Sequence, residues 1–277
     1  MLLFERILRR IKHYYFIFEK QPRVISSIVY LDLIKNLRFL NSKKLSFMLN
    51  HNLNRNRKSD IISLWGVKYY FNNETIGIIS HMWTTKECIK FEDFLPKNGD
   101  IVFDIGASIG VYTLIYSKLV GKNGKVLAFE PNKHAFDLLV KHMKINESKN
   151  IIALNKAVWS KNKTIKMKRE DKISLDRVFN KNSNNVYLVK TVTIDNVTKE
   201  FSLKKVNLIK IDVEGSEIEV LKGGIETLRE FKPKLIVEVH ERLGIKKQKI
   251  ERMLKKLNFE LLHEYKVDDG TYEMFFA

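Results

Sequence analysis

From residue 96 to its end, the chain alternates between short apolar runs and segments whose apolar residues have helical spacing. Continuous apolar runs of this length are typical of buried strands, and the segments between them are typical of helices. The first strands are predicted at 101–105, 125–130 and 151–155, and the first helices at 111–120 and 132–146. Because strands joined through helices pair in parallel, the pattern predicts an α/β fold with a mostly parallel sheet and helices on both faces.

The second half of the chain continues the alternation and changes it at the end. Further strands are predicted at 206–212 and 234–240, and further helices at 216–230 and 246–257. The last two strands, FELLHEY and TYEMFFA, are separated by the turn signal Asp268-Asp269-Gly270. Two strands joined by so short a loop must run antiparallel, so the sheet is predicted to end in an antiparallel strand.

Positive charge is concentrated at the beginning of the chain. The net charge of the 277 residues is +18, and residues 1–60 hold 13 Lys and Arg against 4 Asp and Glu. We predict three regions: a basic amphipathic helical extension (1–60), a β-hairpin and helix cap region (61–95), and the α/β domain (96–277). In the middle region, the hairpin turn is predicted at Asn72-Asn73, after the run IISLWGVKYYF.

Residues 1–20 have the pattern of a basic amphipathic helix, with Phe4, Ile7 and Ile11 on one face. One interpretation is peripheral contact with an anionic membrane surface, and the alternative is a helix that packs its apolar stripe on the protein. No apolar run reaches the roughly 20 residues that span a bilayer, and charges interrupt any signal peptide. We therefore expect a cytoplasmic protein, which would sit at the inner face of the membrane if residues 1–20 bind it.

The first strand of the α/β domain leads into the glycine turn DIGASIG (104–110). A strand, a glycine turn and a helix bring backbone N–H groups close to a ligand at the carboxyl end of the sheet, which makes Asp104, Gly106, Ser108 and Gly110 candidate binding residues. The turn lacks the glycine spacing of the dinucleotide fingerprint and the lysine of a P-loop. Asp104 would repel a pyrophosphate, but it suits an ammonium group or a ribose.

An acidic residue, Glu130, ends the second strand, 26 residues after Asp104. A carboxylate at such a position can accept hydrogen bonds from both hydroxyls of a ribose. Asn155, at the end of the third strand, is placed to meet the edge of an adenine. A nucleoside without a pyrophosphate, beside a carboxylate that suits an ammonium group, points to S-adenosylmethionine as the ligand.

Several blocks together resemble the FkbM family of S-adenosylmethionine-dependent methyltransferases. They are DIGASIG with Tyr112-Thr113, AFEP (128–131), TID (193–195), IKIDVEGSEIEVLKGG (209–224), and Pro233 with IVEVH (236–240). The resemblance implies that 96–277 is a Rossmann-like domain whose seven-stranded sheet has an antiparallel last strand. It also implies methylation of a hydroxyl, often on a sugar, a glycolipid or a natural product. In one departure, Ser108 stands where the family usually has Asn.

Methyl transfer from a sulfonium needs an in-line arrangement of acceptor oxygen, methyl carbon and sulfur, and a group that takes the acceptor's proton. Asp212 and Glu214 follow one parallel strand, and Glu238 and His240 end the next, so the four are expected to meet at one edge of the sheet. We expect Glu214 or His240 to accept the proton, with Asp212 near the methionine amine or the acceptor hydroxyl. His240 is a candidate because an unperturbed imidazole, with a pKa of about 6.5, is mostly neutral at pH 7.

Three further expectations concern the surroundings of these residues. A divalent cation held by Asp212, Glu214 and His240 is an alternative, but carboxylate pairs more often bind donors or hydroxyls directly, so no metal is expected. Lys210, on a buried strand, needs a carboxylate partner. Asp195 is predicted to cap the helix that follows it.

Two other functions compete with the preferred one. An RNA methyltransferase would suit the positive charge. However, the chain lacks the Asp/Asn-Pro-Pro-aromatic block of amino methylation and, with Cys88 alone, a catalytic cysteine pair, so nucleic acid is not the expected partner. A non-catalytic basic binding module is the other alternative. The preferred function is an O-methyltransferase that acts on a hydroxyl of a sugar, glycan or glycolipid, with a sugar or glycolipid acceptor as the partner.

Overall fold

The structure is a computed structural model that describes residues 60–64, 66–71, 75, 78, 91–168, 177–178 and 185–277. The chain divides into two units, Met1–Lys86 and Glu87–Ala277. The predicted extension, with its amphipathic helix and its membrane contact, lies outside the described residues apart from Asp60. The three predicted regions and their boundaries therefore stay predictions.

The described part of the first unit contains an antiparallel hairpin. Strand β1 (Asp60–Leu64) pairs with strand β2 (Val67–Phe71), and Leu64 lies opposite Val67. The hairpin turn therefore lies between Leu64 and Val67, inside the run IISLWGVKYYF, and the turn predicted at Asn72-Asn73 lies outside the described residues. Gly66 has a φ of 72°, the left-handed conformation that a two-residue hairpin loop requires and that glycine adopts without a steric cost.

The second unit alternates strands and helices along most of its length. Its strands are β3 (Ile101–Ile105), β4 (Lys125–Phe129), β5 (Ile151–Leu154), β6 (Ala157–Val158), β7 (Thr164–Lys168), β8 (Arg177–Val178), β9 (Val186–Val192), β10 (Leu208–Ile211), β11 (Lys234–His240), β12 (Leu261–Asp268) and β13 (Thr271–Phe276). Its α-helices are α1 (Val111–Val120), α2 (Lys133–Ile145), α3 (Ile194–Glu200), α4 (Glu217–Lys222), α5 (Ile225–Phe231) and α6 (Lys247–Lys255). Within the described residues, none of the helices combines the length and the apolar content that a membrane crossing requires.

Seven strands form one sheet in the order β12-β13-β11-β10-β3-β4-β5. Strand β13 runs antiparallel to both of its neighbours, and the other six strands share one direction. The predicted sheet, mostly parallel with an antiparallel last strand, is therefore confirmed. Because the strand order reverses between β3 and β10, the carboxyl ends of these two strands border a crevice.

Apolar residues of the central strands hold this sheet in place. Phe103, Leu127 and Ile209 are fully buried, and helix residues such as Leu221 and Leu228 pack against them in one cluster. Removal of this apolar surface from water is the main favourable contribution to folding. The polar residues at the strand ends are therefore anchored to a rigid core.

The predicted helix 216–230 is in fact two helices, α4 and α5, which are separated at Gly223-Gly224. A Cβ on Gly223 would lie 2.1 Å from the backbone oxygen of Trp159, and one on Gly224 would lie 2.8 Å from Ile194 Cδ1. The glycine pair therefore serves close backbone packing, which interrupts the helical pattern that the surrounding residues would continue.

The sequence prediction misses a second sheet, which has four strands in the order β6-β9-β7-β8. In β7, exposed Thr164 and Lys166 alternate with buried Ile165 and Met167. The run TIKMK alternates in this way in the sequence, and such alternation indicates a strand with one buried face. The sheet matters for function because its buried face contributes to the cleft described below.

The N-terminus of α5 is capped by a residue from α3. Asp195 Oδ1 accepts hydrogen bonds from Thr227 N (2.8 Å) and Thr227 Oγ1 (2.7 Å), and Oδ2 accepts one from Glu226 N (3.2 Å). The prediction that Asp195 caps its own helix is wrong, because Thr193 Oγ1 does so by accepting from Asn196 N at 3.0 Å. Asp195 therefore links the two helices.

We expect Asp195→Ala to lower the free energy of unfolding by roughly 1–2 kcal/mol, because the first N–H groups of α5 lose their acceptor. Urea denaturation followed by circular dichroism measures the change. Asp195→Asn is the matched control: its carbonyl oxygen can still accept from Thr227, so its loss should be smaller. An Asp195→Ala midpoint equal to that of the wild type would contradict the capping role.

Candidate active site

The glycine turn joins β3 to α1 and packs backbone against backbone. Gly106 has a φ of 84°, and a Cβ there would lie 1.7 Å from the backbone oxygen of Asp212. The N–H groups of Gly106 and Ala107 both donate to the carbonyl oxygen of Phe129 at 3.0 Å. Gly110 has a φ of 90° and packs on Leu139, where a Cβ would lie 2.3 Å from Cδ1. The turn therefore touches the ends of both β4 and β10.

Glu130 holds the turn from the end of β4. Its Oε2 accepts a hydrogen bond from Ser108 N and its Oε1 accepts one from Asn132 N, both at 2.7 Å. Ser108 has a φ of 49°, an uncommon conformation for a residue with a Cβ, and this bond helps to fix it. Ser108 Oγ is buried and has no hydrogen-bond partner in the described part of the chain.

A cleft opens beside the turn. Five of the predicted site residues line it: Gly106, Ser108, Glu130, Asp212 and Glu214. Other residues that line the cleft come from the second sheet or directly flank its first strand: Lys156, Val158, Trp159, Met167 and Val178. None of these is among the predicted site residues. The turn, the end of β4 and the end of β10 thus share one cavity, which the second sheet closes.

Three predicted binding residues do not line the cleft. Asp104 is fully buried, accepts a hydrogen bond from Thr113 Oγ1 (2.5 Å), and lies opposite Lys210 in the sheet. Burial raises the pKa of Asp104, although Lys210 and Thr113 act in the opposite direction. Asn155 Nδ2 donates to the carbonyl oxygens of Glu130 (2.8 Å) and Pro131 (3.1 Å). Gly110 is the third of these residues, and Asn155 alone is seen to bond to residues that line the cleft.

The second group of predicted residues meets where β10 and β11 end. His240 Nε2 lies 3.5 Å from Glu238 Oε1 and 3.6 Å from Glu214 Oε2. The other ring nitrogen, Nδ1, lies 3.0 Å from Glu217 Oε1. Sequence reasoning missed Glu217, although its position one turn after Glu214 at the start of a helix was visible. The predicted convergence of Asp212, Glu214, Glu238 and His240 at one edge is what the geometry shows.

These carboxylates change the protonation of the histidine. Burial acts to lower the pKa of His240, but its contacts with Glu217 and Glu238 and the nearby charges raise it to about 11. The expectation of a neutral imidazole at pH 7 is therefore wrong for the arrangement in this structure. Burial raises the pKa of Glu214 to about 7, against the attraction of His240.

The predicted carboxylate partner of Lys210 is confirmed. Lys210 Nζ is 3.3 Å from Asp212 Oδ2, and it lies 4.4 Å from the centre of the Tyr112 ring. Burial alone would lower the pKa of Lys210, but Asp212 and Asp104 hold it above its ordinary value. Lys210 therefore remains charged and fixes Asp212 at the edge of the cleft.

One subset of this group has the donor types of a metal centre. Asp212, Glu238 and His240 each offer a ligand atom, and the three atoms lie within 4.8 Å of one another. This set differs from the alternative considered on sequence, because Glu238 takes the place of Glu214.

This sheet and this cleft define an S-adenosylmethionine-dependent methyltransferase with a Rossmann-like fold. Residues 104–266, more than half of the chain, match the methyltransferase FkbM domain. The chain belongs to the FkbM methyltransferase family, which confirms the resemblance of its motifs, and S-adenosylmethionine is its methyl donor. The cleft fits this donor, since it offers an acidic strand end, a buried hydroxyl without a partner among the described residues, and an apolar wall.

Two named relatives are similar over most of their own length. Hexuronic acid methyltransferase AglP of Haloferax volcanii is 26% identical over 203 residues, which cover 70% of this chain and 81% of the relative. Methyltransferase sdnD of Sordaria araneosa is 28% identical over 202 residues, which cover 61% and 77%. The crystal structure of methyltransferase FkbM from Methylobacillus flagellatus KT has a TM-score of 0.46 and 16% identity, covering 73% of this chain and 54% of that one.

Proposed function

We propose that the protein transfers a methyl group from S-adenosylmethionine to a hydroxyl of a sugar, within a glycan or a glycolipid. The observation that carries this proposal is that Glu214 lines the same cleft as Gly106 and Glu130. A proton acceptor is therefore adjacent to the residues suited to the donor. The relative named hexuronic acid methyltransferase AglP supports a sugar as the acceptor.

The donor is held by the turn and the end of β4. Glu130 lines the cleft, its two carboxylate oxygens accept the N–H groups of Ser108 and Asn132, and a carboxylate at this strand end suits the hydroxyls of a ribose. Ser108 Oγ, which is buried at the same wall, supplies a further polar contact. Phe129, Val158 and Met167 give the apolar surroundings that an adenine ring requires. Asp104 and Asn155 affect donor binding indirectly. Asp104 accepts a hydrogen bond from Thr113, and Asn155 donates to the backbone oxygens of Glu130 and Pro131.

The reaction needs one group of the protein to accept the proton of the acceptor hydroxyl. When bound, S-adenosylmethionine supplies a methyl carbon on a positively charged sulfur, and this carbon is open to in-line attack by an oxygen. The C–O bond forms as the C–S bond breaks, the sulfur keeps the electron pair, and the acceptor's proton passes to Glu214. Glu214 is better placed than His240 for this role because it lines the cleft, whereas both ring nitrogens of His240 face carboxylates. Asp212, fixed by Lys210, orients the acceptor hydroxyl.

The acceptor enters over the second sheet. Trp159 lines the cleft, and an indole face suits the apolar face of a sugar ring. Lys156 lines both the cleft and a neighbouring groove, in which Lys190 and Lys199 outnumber the one acidic residue, Glu200. Of these lysines, Lys199 also pairs with Glu226. A negatively charged sugar would therefore find opposite charge beside the reaction site.

We expect Glu214→Gln to lower kcat for methylation by about 100-fold or more, because the amide cannot accept the proton in the transition state. The assay uses purified protein, S-adenosylmethionine and a panel of uronate-containing and neutral oligosaccharides, with mass spectrometry to detect the gain of one methylene. Binding of the donor, measured by calorimetry, should stay close to that of the wild type.

Glu147→Gln is the matched control for this variant. Glu147 shares the left-handed backbone conformation of Glu214, with φ values of 53° and 47°, but it is exposed on the surface and does not line the cleft. Its activity should equal that of the wild type. Full methylation by Glu214→Gln would remove the assigned proton acceptor, and methylation of RNA but of no oligosaccharide would overturn the sugar acceptor.

A further inference from the structure

We propose that Asp212, Glu238 and His240 bind a divalent cation of the Mn²⁺ and Mg²⁺ class at the edge of the cleft. The cation's role in holding an acceptor oxygen rests on the proposed function, whereas its binding does not. The proposal stands on the placement of three ligand groups, on the residue that orients the histidine, and on a buried hydroxyl that has no partner among the described residues.

The ligand groups come from the ends of two neighbouring strands. Ile211 pairs with Val237 in the parallel ladder between β10 and β11. The residues that follow this pair, Asp212 and Glu238, therefore lie next to each other. The ligand atoms of Asp212, Glu238 and His240 lie within 4.8 Å of one another. Small side-chain rotations would bring them to the roughly 2.0–2.6 Å at which oxygen and imidazole ligands bind Mn²⁺, Mg²⁺ or a similar ion.

The histidine is oriented in the manner of a metal ligand. Glu217 Oε1 lies 3.0 Å from His240 Nδ1, and the same oxygen accepts a hydrogen bond from Gly215 N at 3.0 Å. A carboxylate on one ring nitrogen fixes the ring so that the other nitrogen can bind a metal. Here that other nitrogen, Nε2, faces Glu238 and Glu214. A cation at this point would take the place of a proton on Nε2.

A buried hydroxyl beside the cluster independently points to a missing ligand. Thr271 is 1% exposed, its Oγ1 has no hydrogen-bond partner in the described ranges, and it lies opposite His240 in the ladder with β13. Residues opposite one another in a ladder project from the same face, so Thr271 faces the cluster. Buried polar atoms of this kind normally have a partner.

The charges of the region also favour a cation. Carboxylates outnumber cationic side chains on this part of the sheet and its edge. The carboxylates are Asp104, Asp212, Glu214, Glu217, Glu238 and Glu273, and the cationic groups are Lys210, His240 and, near Glu214, Arg242. Several of these carboxylates are almost completely buried, where an uncompensated negative charge is costly. A divalent ion would offset two of these charges.

The ion would give the reaction a means of activating a poor nucleophile. Three protein ligands leave positions in a six-coordinate shell for water and for hydroxyl oxygens of the acceptor. Coordination lowers the pKa of a bound hydroxyl, so its proton leaves more easily. Glu214, which lines the cleft and lies 3.6 Å from His240 Nε2, is adjacent to receive that proton. Neighbouring hydroxyls of a sugar are a natural chelating pair for such an ion.

The test measures binding of Mn²⁺ to the full-length chain after removal of metals with a chelator. Electron paramagnetic resonance of free Mn²⁺ gives the stoichiometry and affinity without donor or acceptor. We expect one ion per chain, and we expect Asp212→Asn and Glu238→Gln each to weaken binding by about tenfold or more. Glu260→Gln, an exposed residue between α6 and β12, is the control and should bind as the wild type does.

The possible results separate this proposal from the proposed function. No binding by the wild type at millimolar Mn²⁺, or binding that Asp212→Asn and Glu238→Gln leave unchanged, would overturn the cation site. Circular dichroism shows whether each variant is folded, and the wild-type measurement decides the question if a variant is not. A wild type that methylates oligosaccharides at an unchanged rate in chelator would keep the proposed function and refute the ion's role in it.

Discussion

Gly106→Ala is expected to abolish detectable binding of S-adenosylmethionine and to lower the free energy of unfolding by about 3 kcal/mol or more. The new Cβ would lie 1.7 Å from the backbone oxygen and 2.8 Å from the backbone carbon of Asp212, so neither neighbour can yield by rotating a side chain. The φ of 84° adds the strain of a left-handed alanine. The turn must move away from β10, and the N–H of Ser108 then loses its place beside Glu130.

Gly99→Ala separates these two costs. Gly99 has a φ of 86°, almost the same as that of Gly106, but nothing lies within 4 Å of a Cβ at that position. We expect it to lose only about 1 kcal/mol, the cost of the left-handed conformation, and to bind the donor normally. Calorimetry with S-adenosylmethionine and urea denaturation measure both quantities. Equal losses for the two variants would show that the close approach to Asp212 is not the constraint.

Lys210→Met is expected to lower the free energy of unfolding by roughly 3–5 kcal/mol, because it leaves buried carboxylates without their cation. Lys210 is 2% exposed, it pairs with Asp212 at 3.3 Å, and it lies opposite the fully buried Asp104. Methionine keeps most of the side chain's volume, so the charge is the main change. Methyl transfer should also fall, since Asp212 loses the contact that fixes it.

Two comparisons test the cause of this loss. Lys166→Met, at an exposed position of β7, should change stability by less than about 0.5 kcal/mol. Adding Asp104→Asn to Lys210→Met removes one stranded charge, so the double variant should lose less than the sum of the two single variants. Thermal and urea denaturation give these values. A Lys210→Met protein as stable as Lys166→Met would mean that the buried carboxylates find other compensation.

The elements with strong local patterns were predictable. Continuous apolar runs such as IVFDI and KLIVEVH are sufficient to indicate buried strands, and their polar ends indicate where a site lies. The hairpin turn between Leu64 and Val67 was not predicted, and the predicted helix 216–230 is two helices. In both cases a glycine acts through its backbone conformation or through contact with a distant residue, and the local pattern does not contain that information.

The site was only partly predictable for a related reason. Glu130 and Glu214 line the cleft, whereas Asp104 and Asn155, also predicted to bind the donor, do not line it and form hydrogen bonds with other residues of the protein. The protonation of His240 depends on Glu217, and this contact joins the start of a helix to the end of a strand 23 residues later. Hydrogen bonds between groups far apart in the sequence appear only when the strands are placed side by side.

The sequence by itself determined the parallel sheet, the glycine turn, the acidic strand ends and the methyltransferase family, because these depend on local periodicity and on short motifs. Only the tertiary structure decided that Gly106 meets Asp212, that the second sheet closes the cleft, and that His240 lies among carboxylates. The physical reason is that the packed neighbours of a residue set its steric fit, while its burial and the charges around it set its protonation. In a sheet whose strand order departs from the chain order, those neighbours come from distant parts of the sequence.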